Sequence, residues 1–305
     1  MKPFNFAARS AARPALIPLL LAAGCAFVPD ATEPVNPPRK EVFFAITATN
    51  QLISFNAGQP QKLLASKPVT GLTAAEEIVG IDFRVARGVL YALGRSGSGA
   101  RLYTIDTASG RATPIGAAAL GVALDGGEFG FDFNPTVDRI RVVGNTGQNL
   151  RLHPDTGAVV DSNPDLAGLQ QDTRLAYAKG DANAGRTPAV MSAGYTYNKV
   201  NDKITTNYAI DAATGSLVIQ GTKEGVTPVV SPNTGLLTTV GKLGVRPFER
   251  ASFDIADTTG AAFLATTAPG ARESKFYMVD LDTGTSRFMG TIGGGAVVRG
   301  MSFEP

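Results

Sequence analysis

The chain has no tryptophan, one cysteine and one histidine in 305 residues. Each shortage closes off a kind of chemistry. With Cys25 alone, no intrachain disulfide can form, so the core must hold the fold. With His153 alone and no second thiol, no His- or Cys-based zinc shell can be completed, and a Ser–His–Asp triad would rest on a single imidazole. The lack of Trp removes the largest aromatic platform, which lowers the expectation of a sugar-binding face. Long apolar runs are missing too. The run at 15–23 (ALIPLLLAA) is about half of the ~20 residues that a spanning helix needs.

That short run has a different use. Lys2, Arg9 and Arg13 precede it and no acid does, which is the layout of a secretion signal. Small residues then lead to Cys25 in 21–25 (LAAGC), a pattern similar to a bacterial lipobox, in which the cysteine is acylated after cleavage. The expectation is a signal over 1–24, a lipid on Cys25 and a Pro-rich tether over 25–40. Four prolines in 28–39 make that tether stiff and extended. The protein is then exported to the cell envelope, at the outer membrane of a Gram-negative host. A secreted or periplasmic soluble form is the alternative.

Charge excludes one partner. The chain has 28 Lys and Arg against 26 Asp and Glu. Three of the bases lie in the signal, which leaves 25 against 26. A near-neutral, interspersed surface lacks the basic footprint that nucleic acid requires. A monomer is expected, with the membrane reached through the lipid and an unidentified ligand or envelope protein as partner.

From residue 41 to 305 the pattern is β throughout. Apolar and polar residues alternate over four to six positions between Gly, Asn, Asp and Pro. Short helical turns are expected only in 72–79 and 166–177. The segments repeat. One unit ends a strand in an Asp-to-Gly hairpin: 102–110 (LYTIDTASG), 208–215 (YAIDAATG) and 277–284 (YMVDLDTG), with looser copies at 150–157 and 231–235. Asp accepts backbone hydrogen bonds where the turn begins, and Gly adopts the left-handed conformation that closes it. His153 occupies the Asp place in one copy and is read as a turn residue. A second unit precedes the first: 80–83 (GIDF), 130–133 (GFDF), 194–197 (GYTY), 252–255 (SFDI) and 300–303 (GMSF). The last copy has nothing after it, while 42–64 supplies the strands it lacks. A ring of about five four-stranded blades, a β-propeller closed by pairing of the C-terminal strand with N-terminal strands, answers both facts and leaves no exposed end sheet. Surplus length falls in 161–190 and 223–250, and a sixth, degenerate blade in the second stretch is the alternative.

Six segments, 44–47, 80–83, 130–135, 138–145, 180–183 and 231–235, resemble an exported bacterial family known as domain of unknown function 4394. The resemblance covers 41–304 and implies a propeller-like repeat domain. It implies no activity and no site residue.

Candidate functional residues follow from the repeats. Asp82, Asp132 and Asp254 share one place on the inner strands, with Thr196 and Ser302 expected there in the other two copies. Three carboxylates lining a channel would offer oxygen ligands to Ca2+ or another divalent cation. Fastening neighbouring strands by hydrogen bonds is the plainer role. Glu77, Glu128, Glu249, Arg250 and Arg299 precede inner strands and should gather at one channel mouth. There they would bind a polar ligand or, as paired acids, serve a hydrolase or lyase. Asp181 and Asn183 open a D-x-N-x-G segment like a calcium loop, but Ser192 stands where that loop needs a bidentate Glu. Gly94–Gly99 is glycine-rich yet lies between strands, so it reads as a hairpin loop rather than a phosphate cradle. The expectation is a non-catalytic binding propeller without a cofactor.

Overall fold

The computed structural model describes Met1 and residues 32–97, 99–116 and 119–305. Cys25 and the apolar run at 15–23 fall outside the described residues. Among these residues twenty strands form five small sheets. Blade one holds β1 (Val42–Thr47), β2 (Gln51–Asn56) and β3 (Gln59–Pro68). Blade two holds β4 (Glu77–Arg84), β5 (Val89–Ser96), β6 (Gly99–Ile105) and β7 (Ala112–Pro114). Blade three holds β8 (Phe129–Asn134), β9 (Arg139–Gly144) and β10 (Asn149–Leu152). Blade four holds β11 (Ala176–Tyr177), β12 (Val190–Tyr195), β13 (Asn207–Asp211), β14 (Ser216–Gln220) and β15 (Leu236–Lys242). Blade five holds β16 (Arg250–Ile255), β17 (Ala262–Thr267), β18 (Lys275–Val279) and β19 (Ser286–Thr291). The last strand, β20 (Val298–Phe303), returns to blade one.

Ring closure follows the expected route. β20 pairs antiparallel with β1, setting Phe43 opposite Phe303 and Ala45 opposite Met301. The inner strands β4, β8, β12, β16 and β20 touch in that cyclic order, and β20 returns to β4. Five blades are present. The stretch 223–250 contains β15, the fourth strand of its own blade, and no sixth blade. The blades are unequal, however. Blade three has three strands, because its fourth is reduced to the bridge Leu152–Val159 before the chain leaves along 161–190. That insertion crosses to blade four and adds β11 parallel to β15 as a fifth strand.

Neither 72–79 nor 166–177 holds a helix: turns and bends occupy them, β4 begins at Glu77, and β11 at Ala176. β5 and β6 form the expected hairpin around Gly97. The Asp-to-Gly turns also form as expected. Asp106 Oδ1 accepts from Ser109 N at 2.6 Å, Asp280 Oδ1 from Thr283 N at 2.8 Å, and His153 Nδ1 from Asp155 N at 3.2 Å.

Apolar side chains pack between blades as five clusters, one per seam, and the seams are not alike. Phe43, Phe55, Phe263 and Phe276 interlock between blades five and one, with ring centroids 5.2–5.9 Å apart. The seam between blades three and four has the smallest cluster, in which Val143 is the one residue from blade three. A buried polar network takes its place. Arg141 donates to Asp172 at 2.6 Å, Asn149 at 2.8 Å, Asn233 at 2.6 Å and the Tyr195 hydroxyl at 3.2 Å. Arg151 holds the same Asp172 at 2.8 Å. Gln220 joins Asn149 to the Pro232 carbonyl.

The segment at 33–39 lies on the domain rather than ahead of it. Glu33 accepts from Thr291 N at 2.9 Å, Asn36 donates to the Met289 carbonyl at 3.2 Å, and Arg39 N donates to Asn56 Oδ1 at 2.8 Å.

Candidate functional site at the propeller axis

Each blade turns one strand edge toward the axis, and the N–H groups on that edge need acceptors. The repeated inner-strand motif supplies them. Ser302 Oγ accepts from Phe83 N at 3.0 Å, Asp82 Oδ2 from Phe133 N at 2.7 Å, and Asp132 Oδ1 from Tyr195 N at 3.0 Å. Ser192 Oγ accepts from Phe253 N at 2.7 Å, and Asp254 Oδ2 from Phe303 N at 2.6 Å, which completes the circuit. Every step from blade to blade thus has a side-chain bond to backbone. The motif's glycine has its own cause, since a Cβ on Gly130 would lie 2.6 Å from Ala193 N of the next inner strand.

In blade four the register differs from the sequence expectation. Tyr195 occupies the place of Phe83 and Phe133, so Gly194, not Thr196, stands where the other blades carry Asp or Ser. Thr196 lies beyond β12 and accepts from Thr206 N at 2.9 Å. The pattern 194–197 (GYTY) imitates 80–83 (GIDF), but the spatial match is Ser192–Tyr195, with Ser in the glycine place. Blade four therefore contributes no axial carboxylate and fastens to blade five through Ser192.

Asp82, Asp132 and Asp254 do converge. All three are buried, and their nearest oxygens lie within 4.8 Å of one another. Asp82 also accepts from the Ser302 hydroxyl at 2.7 Å, and Asp254 from Ile255 N at 2.6 Å. Asp132 keeps one oxygen, Oδ2, without a hydrogen bond among the described residues. Burial, reinforced by mutual repulsion, pushes the carboxyls of Asp82 and Asp132 well above the usual range. Burial raises Asp254 to about 6. Tyr197, from the loop after β12, is raised by burial and by the same three carboxylates. Three buried acids this close cannot all stay charged unaided. They require protons, or a hard cation on the oxygens.

The sign of the pH dependence follows. A carboxyl more basic when folded holds its proton where the unfolded chain has released it, so stability falls as pH rises from about 4 upward. For Asp254 the full penalty is present above about 6. Asp132→Asn keeps an acceptor for Tyr195 N and removes one repelling charge. It is expected to raise the midpoint of thermal unfolding at pH 8 by roughly 2–8 °C, equivalent to about 1–2 kcal/mol, and to change little at pH 4. Equal shifts at both pH values would contradict the repulsion. Added Ca2+ distinguishes the two ways of neutralising the trio. A rise in the wild-type midpoint that Asp132→Asn lacks assigns a cation, and no rise assigns protons.

At the N-terminal ends of the inner strands, Glu77, Glu128, Arg250 and Arg299 come together as expected, around a cavity of about 220 Å3. Arg95 joins them. Sequence spacing hides it, although its place opposite Glu77 in the β4–β5 pairing puts it there. Glu77 pairs with Arg95 at 2.9 Å and with Arg299, and Glu128 pairs with Arg250. Burial tends to raise Glu77, but Arg299 and Arg95 outweigh it and hold the group below its usual value. Glu128 is more deeply set, and burial prevails over its arginines to raise it. Glu249 is exposed and lines no part of this cavity. Asp181 lies elsewhere, on blade four: it accepts from Thr239 N at 2.7 Å, Thr239 Oγ1 at 2.8 Å and Asn183 N at 2.8 Å, which ties the loop to β15.

Among the described residues no helix is long and apolar enough to cross a membrane. No curated protein matches the sequence. The chain is similar to several solved structures. A chain of the nidogen/laminin complex is 12% identical with a TM-score of 0.46, over 87% of this chain and 98% of that one. A protein of unknown function from Bacteroides thetaiotaomicron is 15% identical with a TM-score of 0.47, over 82% and 58%. TolB from Acinetobacter baumannii is 13% identical with a TM-score of 0.41, over 87% and 66%. A family model described as "Domain of unknown function (DUF4394)" matches residues 51–302, and the chain belongs to that family.

Proposed function

We propose that this is an exported, lipid-anchored envelope protein whose propeller binds a ligand or partner protein and does no chemistry on it. The observation that carries the binding role is the arginine-lined mouth. Three guanidinium groups and two carboxylates meet there in a cavity of about 220 Å3, each acid already engaged by arginine. Groups held in this way are ordered before a ligand arrives, which lowers the cost of recognition. The excess of one positive charge suits a polar or anionic group.

The anchor is tested by Cys25→Ser with radiolabelled palmitate. The wild type is expected to take up label and sediment with membranes, and the variant to do neither. Continued sedimentation of the unlabelled variant would refute lipid anchoring.

The second reading is a hydrolase or lyase. It draws on the opposite displacement of Glu77 and Glu128, the pattern by which paired acids divide base and acid roles. Carboxyl-carbon NMR separates the readings. Glu128 fully ionised at neutral pH accords with binding, whereas a half-protonated Glu128 there would favour catalysis.

A further inference from the structure

The polar seam between blades three and four opens into a cavity of about 520 Å3, at the opposite ends of β8 and β12 from the arginine-lined mouth. We propose that this cavity is a second binding site, which takes a small organic anion by its carboxylate or phosphate head and packs its apolar body against a rim of valines.

Arg139, Arg141, Arg151, Lys203 and Lys223 line the cavity, and among the described residues Glu224 is the one acid that does. Behind the wall, Asp172 is shared by Arg141 and Arg151, so two guanidinium groups have one carboxylate between them. Lys223 is matched by Asp282 at 2.7 Å. Among the described residues Arg139 donates only to the backbone carbonyls of Val137 and Asp138. Five cations thus face three acids, in a place where positive charge is partly removed from water and calls for a counter-charge.

Arg141 is buried and spends its guanidinium on Tyr195, Asn149, Asp172 and Asn233, which fixes the floor. Arg151 is different. Its Nε and Nη2 hold Asp172, while its Nη1 has no acceptor among the described residues, and its side chain is 20% exposed. A guanidinium anchored on one edge and free on the other is oriented for a carboxylate or phosphate oxygen. Lys203 is exposed and has no acid partner among the described residues.

The rim is apolar. Val229, Val137 and Val226 are 80%, 57% and 46% exposed, and all three border the cavity. Its volume falls within the ~300–1,000 Å3 of small-molecule sites. The site arises because blade three lacks a full fourth strand and contributes a single valine to the seam's apolar cluster.

Calorimetric titration of the full-length protein at low salt tests this, with sodium octanoate and inorganic phosphate as probes. Octanoate is expected to bind saturably. Arg151→Gln should weaken it about tenfold, exposed Lys203→Gln by about threefold, and Lys62→Gln on blade one not at all. Added salt should weaken it as well. Phosphate binding with the same dependence on Arg151 and Lys203 supports the anion site with a phosphate head. The proposal is overturned if neither probe saturates by about 10 mM, or if binding ignores both Arg151→Gln and Lys203→Gln. Neither result bears on the mouth, whose groups are untouched.

Discussion

Deletion of residues 298–305 is expected to abolish cooperative folding of the domain. Val298, Met301 and Phe303 are 2%, 3% and 7% exposed, and all belong to the aromatic seam between blades five and one. Burial of three such side chains contributes about 5–9 kcal/mol, comparable with the ~5–15 kcal/mol that separates folded from unfolded domains. The loss is not confined to that seam. Ser302 is the acceptor for Phe83 N, and Phe303 N is the donor to Asp254, so two of the five steps around the axis break. The axial carboxylates would then keep their repulsion, while Asp82 loses the Ser302 hydroxyl and Asp254 loses Phe303 N. Circular dichroism on heating should show a broad or absent transition. A truncated protein that melts cooperatively within a few degrees of the full chain would show that ring closure is dispensable.

Asp172→Asn is expected to be the most damaging single substitution among the polar residues. Its side chain is fully buried between Arg141, 3% exposed, and Arg151. Removal of the carboxylate's charge leaves Arg141 deep in the seam with Asn149, Asn233 and Tyr195 but no counter-ion. Breaking one side of a buried pair costs about 3–5 kcal/mol. Removing both charges with Arg141→Met and Asp172→Leu should cost clearly less than the sum of the single changes. Urea unfolding of the wild type, Asp172→Asn, the two single changes and the double variant measures both quantities. A loss under about 1 kcal/mol for Asp172→Asn would mean that water or a neighbouring group already compensates Arg141.

The ring was legible because its physical cause is repeated. An inner strand needs a small residue where the next strand approaches and an acceptor two positions on, so Gly80 with Asp82 and Gly130 with Asp132 stand out as copies. The hairpins stand out for the same reason, since Asp106 and Asp280 with their closing glycines obey local turn chemistry. Legibility ended where a different residue does the same job. Ser192 replaces the glycine and also the acceptor, so alignment on Gly194 slipped by two residues and placed Thr196 on the axis. The network around Arg141 was hidden altogether, because its members come from β9, β10, β12, β14, the insertion and the turn before β15. No periodic rule links Asn149, Asp172, Gln220 and Asn233. Arg95 shows an intermediate case: it becomes visible once β4 and β5 are paired, but not from either strand alone.

The segment at 33–39 has a mechanical consequence. It crosses from Thr291 and Met289 on the outer strand of blade five to Asn56 on blade one before β1 begins. A pull on the chain ahead of Glu33 therefore reaches those rim contacts first, and only afterwards the β1–β20 pair that shuts the circle. The clip works as a strain relief: its contacts at Glu33, Asn36 and Arg39 yield under shear while the closing strands stay zipped.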